Sequence, residues 1–336
     1  MIACYIIKPG VLQLKEVPIP EPANGELLVK IGAALTCGTD LKAFLRGHSL
    51  IPMPGPFGHE FSGTVAKIGK GVDKFKEGDE IMAVHTAPCL KCKYCAKKAF
   101  NLCENIMTSK ILGAYAEYIL LPSHIAKQNV YQKPVSLEFA EAALLEPLSC
   151  VVHGLNKLDL KDSASLIIGA GPIGLLHLLL IKSVGAKVIL TGLEQERLQI
   201  AKKMGADMII PPSKIDESIE SFTEGVGVDF VFECTGQLDV WERSMKYVRR
   251  GGTIVLFGGC KKDTIVTYDT WRLHYDEITV KGSFHFNPDD VRTAARLLTE
   301  NLPLSLLISA SYPLKDIGIP FERLSMGEGL KYAIIP

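Results

Sequence analysis

The sequence has no surplus of charge: 37 Lys+Arg stand against 37 Asp+Glu, for a formal net charge of zero. It has no run of like charges, so a nucleic-acid partner that needs a basic face is not expected. The N-terminus, Met1-Ile2-Ala3-Cys4-Tyr5, lacks a basic segment followed by a long apolar core. A secretory signal is therefore not expected, and the expected location is cytoplasmic. Internal repeats and low-complexity linkers are missing too. The longest stretch without formal charge, Ser163 to Ile181, is near the length of a membrane span. Gly169, Gly171, Pro172 and Gly174 lie near its middle and His177 beyond them. It reads as a buried strand, a glycine turn and a buried helix, and no membrane association is expected.

What is present is a globular composition, with 47% apolar and 22% charged residues in a chain of 336, long enough for two ordinary domains. Nine cysteines are spread unevenly. Cys89, Cys92 and Cys95 follow a Cys-x-x-Cys-x-x-Cys spacing, and Cys103 comes shortly after. In a small secreted chain this would read as a disulfide framework. In a large chain without a visible signal, three crowded thiols and a fourth nearby read as the sulfur shell of a structural zinc. Lys91, Lys93, Lys97 and Lys98 would offset its negative charge. An iron–sulfur cluster is the competing reading, but that run usually ends in Cys-Pro. Cys4, Cys150, Cys234 and Cys260 read as small core residues.

A second metal site is suggested by Gly58-His59-Glu60-Phe61-Ser62-Gly63. It offers an imidazole and a carboxylate at one backbone corner, both ligand types that zinc accepts. Cys37 lies upstream and Glu146 downstream. A thiolate, an imidazole and one or two carboxylates from distant segments would leave an open position, the mark of a catalytic zinc.

The first third reads as mostly β, with strands at Leu27–Ile31, Thr64–Ile68, Gly78–Val84 and Ala116–Leu121, plausible as a barrel whose loops carry ligands. Ser136 to Leu158 reads as helical, interrupted by Pro147. After Asp162 strands alternate with helices. Strands are expected at Leu166–Ile168, Lys187–Thr191, Val228–Glu233, Thr253–Phe257 and Ile278–Phe284, with helices at Leu175–Val184, Glu196–Met204 and Leu238–Tyr247. Such alternation predicts a parallel sheet wrapped by helices.

Gly169-Ala170-Gly171-Pro172-Ile173-Gly174 fits G-x-G-x-x-G in the strand–turn–helix context that motif needs. The glycines let the backbone approach a pyrophosphate, whose charge rests on the helix N-terminus. An acidic residue about 20 positions on would favour NAD. Counting selects Glu194, but the strand ends at Thr191 and Gly192 follows. A glycine there removes the carboxylate that repels a 2′-phosphate, and Arg197 could approach it. NAD and NADP both stay open.

Nearly end to end, the chain resembles the zinc-dependent medium-chain alcohol dehydrogenases of the sorbitol or polyol and threonine dehydrogenase type. The resemblance is carried by CGTD at Cys37–Asp40, GHEFSG at Gly58–Gly63, the loop Cys89–Cys103, GAYAEY at Gly113–Tyr118 and EPLSC at Glu146–Cys150. GAGPIG at Gly169–Gly174, FECTG at Phe232–Gly236, GGTIVLFGG at Gly251–Gly259 and KGSF at Lys281–Phe284 complete it. It implies an α/β fold: a GroES-like β-rich catalytic domain over 1–147 and 285–336, and a doubly wound Rossmann domain over 148–284. A helix at Asp289–Asn301 and the last strands would finish the first domain, with the active site in the cleft.

By that resemblance Cys37, His59, Glu60 and Glu146 hold the catalytic zinc, the two carboxylates directly or through water. Asp40 orients a ligand. Thr39 passes the substrate proton outward. Gly169, Gly171, Pro172, Ile173, Gly174, Gly192, Arg197 and Thr235 would meet the cofactor. Zinc would lower the alcohol's pKa while hydride moves to a nicotinamide. Lys42 stands where many relatives place a relay histidine, and His48 is the substitute. His285 falls near where polyol enzymes place a basic residue against substrate. The implied activity is oxidation of a secondary alcohol, a polyol or sugar alcohol, to a ketone. A threonine dehydrogenase and a non-catalytic zinc and dinucleotide sensor are the alternatives. A homodimer or homotetramer is implied.

Overall fold

Ile2–Lys8 (β1) and Val11–Glu16 (β2) pair antiparallel about a turn in which Gly10 takes φ +75°, a left-handed conformation suited to glycine. Leu27–Leu35 (β3), Gly55–Pro56 (β4), Glu60–Ile68 (β5), Glu80–Ala83 (β6), Tyr118–Leu121 (β7) and Val130–Gln132 (β8) follow. The structure is a computed structural model that describes residues 1–336. The chain divides into one unit of Met1–Val152 with His285–Pro336, and another of His153–Phe284.

The second unit is a six-stranded parallel sheet: Ala164–Ile168 (β9), Lys187–Thr191 (β10), Met208–Ile210 (β11), Val228–Glu233 (β12), Val248–Leu256 (β13) and Thr279–Gly282 (β14). Their order is β11-β10-β9-β12-β13-β14. The chain runs outward from β9 first to one side and then to the other. That reversal makes a crevice at the carboxyl end of β9, where the glycine motif lies. Leu166, Ile189, Val231 and Ile254 are fully buried in the sheet's core, as expected for strands covered on both faces.

In the first unit, Ile308–Pro313 (β15) and Lys331–Ile335 (β16) return to complete a seven-stranded sheet. Its path is β15-β16-β3-β5-β6-β8, with β7 also on β3, beside a three-stranded sheet β2-β1-β4. Phe57, Tyr115 and Phe321 pack ring against ring at 5.3 to 5.9 Å in its core. The β3–β5 pairing sets Leu35 opposite Glu60, which brings the segment after β3 beside the start of β5.

Some expected boundaries move. The helix over Ser136–Leu158 is two helices, Phe139–Ala142 and Leu145–Leu155. Pro147 does not interrupt it. It lies in the first turn of the second helix, where backbone N–H groups lack intrahelical acceptors and proline costs little. β11 and helix Ile215–Phe222 are additions to the expected elements: three-residue β11, between Gly205 and Pro211, is too short to show a period. Strand β13 starts at Val248, ahead of Thr253, and the helix expected to reach Asn301 stops at Leu297. No helix is long and apolar enough to cross a membrane.

Candidate functional site

Two residues past the end of β3, Cys37 caps helix Gly38–Arg46, and its Sγ accepts the Thr39 N–H at 3.4 Å. A sulfur at a helix N-terminus meets unpaired N–H groups and the positive end of the dipole. Because Leu35 faces Glu60, the chain beyond β3 arrives beside the chain entering β5. Cys37, His59 and Glu60 thereby bring one ligand atom each within 4.8 Å of one another. Gly58 makes the preceding corner at φ +91°, where a Cβ would come within 2.7 Å of the Tyr115 ring.

His59 Nδ1 lies 3.1 Å from Asp40 Oδ1, which leaves Nε2 for a metal. Tyr115 Oη donates to the other Asp40 oxygen at 2.7 Å. Glu60 is fully buried, and Oε2 accepts from the buried Lys331 ammonium at 2.5 Å. Glu60 Oε1 is buried without any hydrogen-bond partner. An orphaned carboxylate oxygen beside a thiol and an oriented imidazole fits a zinc ion, which takes S, N and O together. Burial, and then Glu60, raise the Cys37 thiol above its ordinary pKa. Burial opposes charge on His59, but Asp40 and Cys37 outweigh it and hold the imidazole well above its usual value. A divalent cation here would stabilise the Glu60 carboxylate and the Cys37 thiolate and take the place of a proton on His59.

The fourth expected ligand, Glu146, is not among the atoms within 4.8 Å of one another, but its carboxyl feels the charges of His59, Glu60, Lys331 and Asp40. From the first turn of helix Leu145–Leu155 its Oε1 turns to His85 Nδ1, 3.6 Å away, and the Cys150 thiol lies 3.8 Å from the same oxygen. Glu146, His85 and His285 form a separate group within 4.8 Å. Burial drives the Glu146 carboxyl up to about 7, with His59 opposing and Glu60 reinforcing the shift. His48 joins neither group. Its Nδ1 accepts the Leu50 N–H at 3.2 Å, and burial with Lys42 and Arg46 lowers its pKa.

Cys89, Cys92, Cys95 and Cys103 come together within 4.8 Å, and all nine cysteines are unbridged. The Cys89 and Asn105 N–H groups donate to Cys103 Sγ at 3.3 and 3.4 Å. Backbone N–H groups of Cys95 and Glu104 bring Cys92 down to about 6, while burial and the neighbouring thiols push Cys95 up to about 12. Apart from sulfur, little but Ile106, Phe100 and Met107 packs there, so a cation shared by the four sulfurs fits the loop better than an apolar core does.

In the second unit Gly171 caps helix Pro172–Ser183, and a Cβ on it would face open space. A Cβ on Gly174 would stand 1.9 Å from Gly169 O, so glycine is what lets the helix lie against β9. This is an open helix N-terminus able to receive a pyrophosphate. Ile173 follows on the same first turn, and its carbonyl accepts from the buried His177 at 2.9 Å. Gly192 abuts Ala170, 2.5 Å from where its Cβ would be, so close packing also explains this glycine. Arg197 lies 3.7 Å from Glu194 and keeps 17% of its side-chain exposure, which places both charges just beyond β10. Thr235 abuts Gly169, but its hydroxyl and amide both donate to Glu233, so its side-chain donor is already engaged.

Sequence reasoning passed over His85 and Lys331. Lys331 had a signal: it opens the apolar run Lys331–Ile335, where a charge needs a partner. His85 had none beyond its place ahead of Cys89.

Residues 23–133 match the model of the alcohol dehydrogenase GroES-like domain, and residues 172–300 that of the zinc-binding dehydrogenase. The chain is 33% identical to D-arabitol-phosphate dehydrogenase of Enterococcus avium over 331 residues, 95% of this chain and 92% of that one. It is 34% identical to sorbitol dehydrogenase of Bacillus subtilis over 337 residues, 97% and 94% of the two chains. A zinc-binding dehydrogenase from Sinorhizobium meliloti 1021, solved bound to NADP, superposes with a TM-score of 0.91 at 30% identity, covering 100% of this chain and 99% of that one. Similarity on this scale spans both the ligand-bearing strands and the glycine-turn sheet, and by it the chain belongs to the zinc-dependent medium-chain alcohol dehydrogenases.

Proposed function

We propose that the protein oxidises a secondary alcohol of a polyol or sugar alcohol to a ketone, reversibly, with NAD or NADP as hydride acceptor. The observation that carries this reading is the buried, unpartnered Glu60 Oε1 beside Cys37 and the Asp40-oriented His59. Zinc held by Cys37, His59 and Glu60 would act as the Lewis acid that lowers the alcohol's pKa. The nicotinamide would accept the hydride.

The chain's own residues supply the rest. Asp40 fixes the His59 tautomer and ring orientation. Lys331 fixes one Glu60 oxygen and leaves the other toward the ligand set. Thr39, on the first turn after Cys37, takes the substrate proton, and His48 would accept it only on releasing the Leu50 N–H from its Nδ1. Cys89, Cys92, Cys95 and Cys103 hold the structural zinc. Gly169, Gly171, Pro172, Ile173 and Gly174 receive the pyrophosphate. Gly192 offers no carboxylate at the end of β10, Arg197 would receive a 2′-phosphate, and Glu194 favours the free ribose. Thr235 contributes by shaping the turn beside Gly169, its hydroxyl being held by Glu233.

Nine unbridged cysteines suit a reducing, cytoplasmic setting. Exposed Trp271, Tyr275 and Ile265 suit a homo-oligomer. The test is to follow reduced cofactor by absorbance with sorbitol, other polyols, phosphorylated polyols and threonine, against NAD and NADP separately, with and without a chelator. Chelator-sensitive reduction with a polyol is expected. Zinc-loaded protein that reduces neither cofactor with any alcohol would leave the sensor reading in its place, and reduction with threonine alone would replace the polyol.

A further inference from the structure

We propose that Glu233 is a positioning residue for the dinucleotide: its buried carboxylate pins the loop after β12 into the wall of the crevice beside the glycine turn. The proposal rests on the cofactor assignment above. Glu233 is the last residue of β12 and is fully buried. Ile168 at the end of β9 and Leu256 at the end of β13 lie directly beside it in the sheet. It therefore stands at the carboxyl ends of the strands, where the strand order reverses and open α/β sheets take their ligands.

A buried carboxylate needs donors to meet its charge, and here the next loop supplies them. Thr235 N–H donates to Oε1 at 2.7 Å, and the Thr235 hydroxyl donates to the same oxygen. Gly236 N–H lies 3.1 and 3.2 Å from the two carboxylate oxygens. These neutral donors converge on one anion, and that convergence folds the loop back over the strand end. Gly236 turns there at φ +71°, where a Cβ would come within 2.6 Å of Gly259 O. The Glu233 carbonyl accepts the Phe257 and Gly258 N–H groups at 2.9 Å each. Trp241 Nε1 donates to Gly258 O at 3.0 Å. One residue thus ties the loops after β12 and β13 together.

The same clamp reaches the glycine turn. Cys234 N–H donates to Ile168 O at 2.9 Å, and Thr235 Cγ2 stands 3.1 Å from where a Cβ on Gly169 would be. The position of Thr235 therefore sets the space left beside Gly169. An apolar residue at 233 would fill the core but would not orient the Thr235 and Gly236 N–H groups. Without that orientation the loop has to be ordered when the cofactor binds, which lowers affinity.

The test titrates zinc-loaded protein with NADH and with NADPH, followed by nicotinamide fluorescence in the absence of any alcohol. Glu233→Gln keeps the length and one acceptor oxygen but sets an NH2 group against the loop's donors. It should raise the Kd of the cofactor by at least about tenfold, with zinc content unchanged. Val228→Ala, at the other end of the same strand, is the control for lost stability. It should lower Tm but leave Kd within about twofold of the parent. Parental Kd in Glu233→Gln overturns the proposal, and so does equal weakening in both variants, which would make the effect one of general stability. If Glu233→Gln does not fold, Trp241→Phe carries the test: it frees Gly258 without touching the loop after β12, and Kd should rise by about threefold or more. Parental Kd there overturns the proposal too. A parent protein that binds neither NADH nor NADPH overturns the cofactor assignment itself, a result distinct from a variant that binds as well as its parent.

Discussion

Two candidate ligand sets in the first unit are built in opposite ways. Cys89, Cys92, Cys95 and Cys103 are neighbours in sequence, alike in chemistry, and closed around one point. Cys37, His59 and Glu60 differ in chemistry and meet only because β3 pairs with β5. Four like ligands satisfy a tetrahedral ion and leave nothing to react, whereas three unlike ones leave a position open. The outer contacts differ in the same sense. Backbone N–H groups hold the sulfurs of the loop. Buried side chains, Asp40 and Lys331, hold the ligands of the other set. A loop secured by its own backbone staples the fold, and a set secured by charged side chains can be tuned.

The comparison breaks most sharply at Cys37. Cys37→Ser should lower kcat/KM by at least about a thousandfold, or ~4 kcal/mol of transition-state stabilisation, while Tm stays within a few degrees. An unchanged kcat/KM, or a large fall in Tm, would mean that the two sets do not divide the labour. Cys103→Ser should do the reverse. Loss of the loop's ion removes folding energy, and a drop in Tm of roughly 5–10 °C is expected, with kcat at low temperature within a few-fold of the parent.

Asp40→Asn sharpens the contrast. It should weaken zinc at the Cys37 set by about 10- to 100-fold and leave the loop's zinc in place, read by metal content after graded chelation. Equal loss from both sets would refute a role specific to His59. The smallest effect is in protons. Near pH 7 Cys92, at about 6, is already mostly thiolate, but Cys95, at about 12, and Cys103, raised by burial, must lose protons to bind a metal. Zinc affinity of the loop should therefore rise with pH, with at least about two protons released per ion, measured by calorimetry in buffers of different ionisation enthalpy. Proton-free uptake at pH 7 would show that the thiols are already ionised.

Legibility in the sequence followed the same divide. The cysteine loop could be read from spacing, because its ligands lie along one short stretch. The glycine turn could be read as well: Gly171 caps a helix and Gly174 touches β9, both consequences of local chain path. The contact of Glu146 with His85 has no sequence signal, because it depends on the aim of a helix's first turn. The 3.7 Å approach of Arg197 to Glu194 has no signal in the sequence beyond their i, i+3 spacing. His85 and Lys331 were passed over, since single residues carry no period and no spacing.

By itself, then, the sequence determined what depends on neighbours along the chain: the strand–turn–helix rhythm, the sulfur loop, and the thiol, imidazole and carboxylate available for a metal. Tertiary structure alone decided which of those side chains meet. Strand register and the aim of a helix's first turn set the distances between segments far apart in sequence, and those distances put Lys331 against Glu60 and His85 beside Glu146.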